Sequence, residues 1–196
     1  MIRELLIASN NRDKLVELKS LLGALPYRLF CLQDFPELPA TIEDRDTIAG
    51  NAMKKALEAA KGSGMLALAD DTGLFIIALD NAPGVYAARY AGEQCSYADN
   101  RHKVLSLMQG ISDRRASFRT AVALAAPDGI IAVVEGVVEG KITESERGAS
   151  GFGYDSIFEV EGLTYAEMDD DAKNRISHRG AAIARIIPIL QNLINM

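Results

Sequence analysis

The chain has 196 residues, of which 48% are apolar and 24% charged, and its net charge is −6. That length and composition fit one globular domain, or two closely packed lobes, with enough material to bury a sizeable core. The acidic balance argues against an extended nucleic-acid surface, which needs a net basic face, and no apolar run approaches the ~20 residues of a membrane-spanning helix.

The N-terminus, MIRELLIASN, lacks the long apolar core and small-residue cleavage site of a secretion signal, so a reducing cytoplasm is the expected setting. Cys31 and Cys95 are too few and too far apart for a disulfide framework, a zinc site or a redox motif, and both are expected as buried thiols. Leu5 to Ala8 reads as a short buried strand ending at Ser9-Asn10-Asn11. Leu15, Leu18, Leu21 and Leu22 then fall at helical spacing, with Asn10 or Asn11 as cap and Gly23 near the end. The first turn of that helix sits at the carboxyl end of a strand, with free N–H groups and Lys14 close by. This is a phosphate-binding arrangement in outline, without the glycines of a P-loop; it is equally the pattern of an ordinary capped helix with a surface lysine.

Arg28 to Leu32 is a second candidate strand. Glu43, Asp44 and Asp46 then precede Thr47, which is placed to cap an Ala-rich helix running through Lys61 and ending at Gly62-Ser63-Gly64. Acidic residues here either complement the helix dipole or reach a metal. The stretch from Leu66 to Gly92 organises the chain: an apolar run, Met65 to Ala69, delivers Asp70 and Asp71 to a Thr-Gly turn before a second run, Leu74 to Leu79. The expected path is strand, acidic turn, strand. Carboxylates at the end of a buried strand suit a hard cation, whereas in the plainer reading Asp71 accepts backbone N–H bonds within the turn. The loop Pro83 to Tyr90 either packs at an interface or folds back on its own lobe.

Asp99 to Met108 reads as a helix ending at Gly110. Ala116 to Ala126 and Ile130 to Val138 form a hairpin about Pro127-Asp128-Gly129, with Arg114, Arg115 and Arg119 at its base, either solvated or facing a ligand phosphate. In RGASGFGYDSIF (147–158) the glycines allow close backbone approach and the rings offer a face on which a base can stack; the alternative is a loop anchored in the core by Phe152 and Tyr154. KNRISHR (173–179) is a local cationic cluster before a C-terminal helix whose buried face is Ile183, Ile186, Ile187, Leu190 and Leu193, with Pro188 expected to kink it.

Taken in order, SNNRDK (9–14), ADDTG (69–73), APGVYAARYAG (82–92), GFGYD (151–155) and KNRISHRG (173–180) closely resemble the inosine triphosphate pyrophosphatase family, from about Leu5 to the last helix. The resemblance implies an α/β fold, a long twisted mixed β-sheet with flanking helices, forming two lobes with a central active-site cleft, all within one domain over residues 1–196. It also implies Mg²⁺-dependent hydrolysis of non-canonical purine nucleoside triphosphates (ITP, dITP, XTP) to the monophosphate and pyrophosphate, a homodimer, and neither nucleic acid nor membrane as partner. Carried over residue by residue, Ser9, Asn10, Asn11, Arg12, Asp13 and Lys14 match the triphosphate-holding loop. Glu43 and Asp71 match the metal ligands, with Asp71 also the proton acceptor and Asp70 beside it in support. Thr72 falls where a substrate-contacting serine is common. Phe152, Gly153, Tyr154 and Asp155 match the base-binding loop, and Lys173, His178 and Arg179 the remaining nucleotide contacts. The chain departs from the pattern at Arg45, where the family often has glycine, at Gly50, where it often has glutamate, and at Ser156, where it often has proline.

For such a reaction the charge of the triphosphate must be neutralised before water attacks. Mg²⁺ on Glu43 and Asp71, with Lys14, Lys173 and Arg179 around the leaving pyrophosphate, is the expected arrangement. Backbone N–H groups or the side chains of His178 and Arg179 are expected to read the 6-oxo group of the base, with Phe152 stacked on the ring. The rival readings are a Maf-like pyrophosphatase, against which GFGYD and SHRG count, a nucleotide sensor without catalysis, and a nucleic-acid-binding module, which the acidic balance opposes.

Overall fold

The computed structural model describes residues 3–195. The first apolar run forms β1 (Arg3–Ile7), with its last three residues buried. Asn11 then caps α1 (Arg12–Leu22), its side chain accepting from the backbone N–H groups of Asp13 and Lys14, and Leu15, Leu18 and Leu22 supply the buried face at the three- and four-residue spacing of one helix side. β2 (Tyr27–Cys31) lies parallel to β1. α2 (Ile48–Ser63) is opened by the Thr47 hydroxyl and closed by Gly64 in the left-handed conformation, and it leads into β3 (Leu66–Ile76), which pairs parallel to the other edge of β1. Parallel neighbours require crossover connections of this kind.

The expected turn at the acidic pair is absent. β3 runs through Asp70 and Asp71 as one strand of 11 residues, and the chain turns only at Ile77–Leu79. A strand can carry two carboxylates through a buried stretch when each has a cationic partner, and both do. β4 (Pro83–Gly84) pairs antiparallel with β3 and Ala87 joins the core beside it, so segment 83–90 folds back onto its own unit.

α3 (Tyr97–Leu107) follows, capped by Ser96. β5 (Arg115–Ala126) and β6 (Gly129–Ile142) form the expected hairpin, and β7 (Phe158–Val160) and β8 (Leu163–Thr164) complete an eight-stranded sheet in the order β2-β1-β3-β5-β6-β7-β8, with β4 on β3. The C-terminal cationic cluster is divided between two helices, α4 (Asp170–Ile176) and α5 (His178–Ile194), and α5 continues through Pro188. Cys31 and Cys95 are only partly buried, contrary to expectation. Each lies at a chain reversal with a polar partner, Asp34 and Asn100 respectively.

The chain divides into two compact units. The first takes the chain up to Asp71, Thr120–Gly136 and the chain from Arg179 on; the second takes Thr72–Arg119 and Val137–His178. The first unit's core gathers Leu5, Ile7, Leu18, Leu68, Val122, Ile183, Ile186 and Leu190, with Ile187 and Leu193 partly buried against it. The second unit's core centres on Phe118, whose ring lies 4.6 Å from Phe158 and 4.5 Å from His178. Among the described residues no helix is long and apolar enough to cross a membrane.

Candidate active site

Successive residues of a strand point to opposite faces, and the pleat of β3 separates the two aspartates accordingly. Asp70, fully buried in its side chain, meets Lys14 of α1 at 3.2 Å and Arg179 of α5 at 3.2 Å. Arg179, 2% exposed, also pairs with Glu17. Burial by itself would raise the Asp70 carboxyl, but Lys14, Arg179 and Lys55 outweigh it and hold the group well below the usual carboxylate range.

Asp71 faces α2. One of its oxygens accepts from the Asn51 amide at 3.1 Å and the other from the Lys55 ammonium at 3.2 Å, and the same ammonium lies 2.7 Å from Glu43. Lys55 therefore draws together the two carboxylates expected as metal ligands. Burial pushes the Asp71 carboxyl up, against Lys55 and Lys14, and Glu43 adds to the rise. For Lys55 burial opposes the charge, but Asp71, Asp70 and Glu43 outweigh it and raise the group.

Sequence reasoning missed Lys55, Asn51 and Glu17. The signal for the first two was available: Asn51 and Lys55 stand four residues apart on a helix otherwise faced by Ile48, Ala52, Ala56 and Ala59, and neighbouring polar groups on an apolar face need partners inside. Around α1 the expectation changes in one respect. The Asp13 and Lys14 amides are already taken by the Asn11 side chain, at 3.0 and 3.1 Å, so they are not the free donors that the sequence suggested. Ser9 is buried while Asn10, Arg12 and Asp13 are exposed.

The acidic loop is fastened to α2 as well: the Arg45 amide donates to Asn51 at 3.0 Å and Lys54 pairs with Asp44 at 2.9 Å. The two departures in this region touch one another. A Cβ at Gly50 would meet the Arg45 Cβ at 2.9 Å and the capping Thr47 hydroxyl at 3.0 Å. Glycine to alanine inside a helix ordinarily gains up to about 1 kcal/mol, but here overpacking reverses the sign. Gly50→Ala is expected to cost roughly 1 kcal/mol, and Arg45→Gly in the same chain to recover part of it, the contact with the Thr47 hydroxyl remaining. Thermal denaturation of the two single variants and the double variant checks this coupling.

The second unit holds the glycine-rich loop. The Asp155 carboxylate accepts the Phe152 N–H at 2.8 Å and pairs with Lys173 at 2.6 Å, and the Lys173 ammonium lies 4.9 Å from the centre of the Phe152 ring. A Cβ at Gly151 would fall 2.2 Å from the Asp155 carboxylate, which is why glycine is needed there. Tyr154 is anchored in the core, its hydroxyl donating to the Ala87 carbonyl at 2.7 Å. His178 is buried and stacked on Phe118. Thr72 opens the second unit on β3. The hairpin arginines have structural partners: Arg114 donates to carbonyls of Met108, Ile142 and Thr143, Arg115 pairs with Asp113, and Arg119 lies over the Phe75 ring.

Glu43 and Asp71 offer hard oxygen donors that converge on the Lys55 ammonium, a donor type that suits a hard divalent cation. Among the described residues no group of three or more acidic, histidine or cysteine side chains is placed to hold a metal.

A family model described as the Ham1 family matches residues 5–189. The dITP/XTP pyrophosphatase of Geobacter sulfurreducens is 46% identical over 184 residues, covering 92% of each chain. That of Desulforamulus reducens is 45% identical over 194 residues, covering 97% of this chain and 96% of the relative. The solved structure of a HAM1 protein from Coxiella burnetii superposes with a TM-score of 0.89 at 41% identity, covering 97% of this chain and 99% of that one.

Proposed function

The chain belongs to the Ham1 family, and from that premise we propose that it is a nucleoside triphosphate pyrophosphohydrolase. Its substrates are the non-canonical purine nucleotides dITP, XTP and ITP, cleaved to the monophosphate and pyrophosphate. The observation that carries this reading is the charge arrangement about β3: Lys14 against Asp70, and Lys55 joining Asp71 to Glu43.

Lys14 and Lys55 supply fixed positive charge for the polyphosphate, with no reorganisation at the moment of reaction. Glu43 and Asp71 would hold Mg²⁺ in place of their shared Lys55 ammonium, and the ion would polarise phosphoryl oxygens and lower the pKa of a bound water. Asp71, held in place by the Asn51 amide and the Lys55 ammonium, orients the attacking water and takes its proton. Asn51 fixes the carboxylate plane through its amide. Arg179 and Lys173, paired with Asp70 and Asp155 as Lys14 is with Asp70, add fixed positive charge at the remaining nucleotide contacts. Ser9 and the 10–13 segment border the triphosphate, Thr72 contributes its hydroxyl, and Phe152 stacks on the base while backbone donors and His178 read its 6-oxo oxygen.

A donor aimed at that oxygen is left facing the 6-amino group of adenine, and sites built on such a bond discriminate by up to ~10⁴-fold. A panel of nucleoside triphosphates assayed with and without Mg²⁺ tests the reading. The expected result is metal-dependent release of pyrophosphate, not orthophosphate, from dITP, XTP and ITP, with kcat/KM at least ~10²-fold above dATP. Equal turnover of adenine nucleotides removes the base-reading assignment, and orthophosphate as product removes the reaction. The same reading makes the enzyme a cytoplasmic homodimer that cleanses the nucleotide pool.

A further inference from the structure

α3 presents Tyr97 and Arg101, four residues apart and so on one side of the helix, to the glycine-rich loop of its own unit. The Tyr97 ring lies 6.0 Å from the Phe152 ring, inclined at 42°. The Arg101 guanidinium donates from Nη1 to the Gly153 carbonyl at 3.0 Å and from Nε to Glu146 at 2.8 Å. The Ser156 hydroxyl donates to the same Glu146 carboxylate oxygen at 2.9 Å. One guanidinium thus ties the tip of the loop to residues on both of its flanks, over a cavity of about 140 Å³ bordered by Arg101, Glu146, Gly148 and Phe152.

The geometry points to Arg101 as a positioning residue for base selection. It fixes the Gly153 carbonyl, and with it the backbone from which the neighbouring Phe152 ring projects. This rests on the reading that the loop takes the base, and goes beyond it by assigning a second, outer support that the Asp155–Lys173 pair does not provide. The need for a support follows from the loop's make-up: Gly148, Gly151 and Gly153 sit at φ 81°, 74° and 61°, and a chain this rich in glycine has more freedom to lose on closing over a ligand than any other. A support that has already removed that freedom strengthens binding without touching the reacting atoms. Glu146 is 43% exposed in its side chain, so the ion pair adds little to global stability and its effect falls on the loop. Ser156, standing where proline is common, supplies the hydroxyl that orients Glu146.

The experiment compares the full chain with Arg101→Ala, Arg101→Lys and Ser156→Ala by steady-state pyrophosphate release from dITP and XTP. It adds calorimetric binding of inosine monophosphate, and amide hydrogen exchange over 147–154 without nucleotide. For Arg101→Ala the expected results are a KM and an inosine monophosphate Kd each raised roughly tenfold, the equivalent of freezing about one residue. Its kcat should stay within about threefold, with faster exchange over 147–154. Arg101→Lys, whose single ammonium cannot span Glu146 and Gly153 as a planar fork does, should recover only part of the affinity, and Ser156→Ala should show a smaller change in the same direction. Faster exchange with unchanged KM and Kd would reduce Arg101 to a purely structural tie and overturn the proposal, as would unaltered exchange. A wild-type chain that binds inosine monophosphate but releases no pyrophosphate sinks the proposed reaction alone, since the Kd comparison still decides the role of Arg101. A wild-type chain that does neither sinks both.

Discussion

Asp71→Asn is expected to lower Mg²⁺-dependent pyrophosphate release by at least ~10²-fold while leaving the chain folded and no less stable. The change removes the negative charge that attracts Lys55, leaves Glu43 as the one remaining carboxylate of the proposed metal pair, and removes the acceptor for the proton of the attacking water. It should not cost stability, because burial already disfavours the charged form of this group. A carboxyl whose pKa is raised in the folded state makes that state less stable as pH rises past its ordinary value of 3.8, so a neutral amide relieves a strain instead of creating one. Gain of stability on loss of function is the usual sign of a residue kept for chemistry. Turnover and thermal midpoint measured on the same preparation decide the matter: near-normal turnover clears Asp71 of the proton-acceptor role.

The neighbouring substitution should do the opposite. Asp70→Asn is expected to destabilise the chain by about 3 kcal/mol, the lower end of the cost of stranding buried charges, or roughly 6–12 °C in Tm for a chain of this size. Lys14 loses its carboxylate partner at Asp70 and Arg179 loses one carboxylate, keeping Glu17. Lys14 retains some contact with water at 16% side-chain exposure, which is why the lower end applies. The pH dependence has a definite sign. Asp70 is held below its ordinary value of 3.8 by Lys14, Arg179 and Lys55 against the effect of burial. Its contribution is therefore complete above that value and is lost as pH falls below it toward the folded-state pKa. Acid unfolding of wild type below about pH 4, flattened in Asp70→Asn, is the check; an unchanged thermal midpoint would show that the network is not a source of stability.

These adjacent aspartates also mark how far the linear code could be read. The caps at Asn11 and Thr47 and the hairpin about Pro127-Asp128 were legible because each rests on contacts between residues a few positions apart. Glu43, Asp71 and Lys14 were legible as site candidates through motif order. The continuous path of β3 was not, because an Asp-Asp-Thr-Gly run has the local chemistry of a turn, and only cations brought from α1, α2 and α5 let it stay extended and buried. For the same reason Lys55 passed as one more lysine on an Ala-rich helix, and the pairing of Arg179 with Asp70 and Glu17 went unseen.

By itself the sequence determined the family, the α/β alternation, and the supply of carboxylates, lysines and glycines from which a triphosphate site is built, since these depend on residue type, order and short-range spacing. Only the tertiary structure decided which aspartate faces which cation, which lysine joins Glu43 to Asp71, and which arginine steadies the loop at Gly153. The physical reason is that a pleated strand sends adjacent side chains to opposite faces, and a charge survives there only beside a partner that the chain delivers from more than a hundred residues away in the case of Asp70 and Arg179.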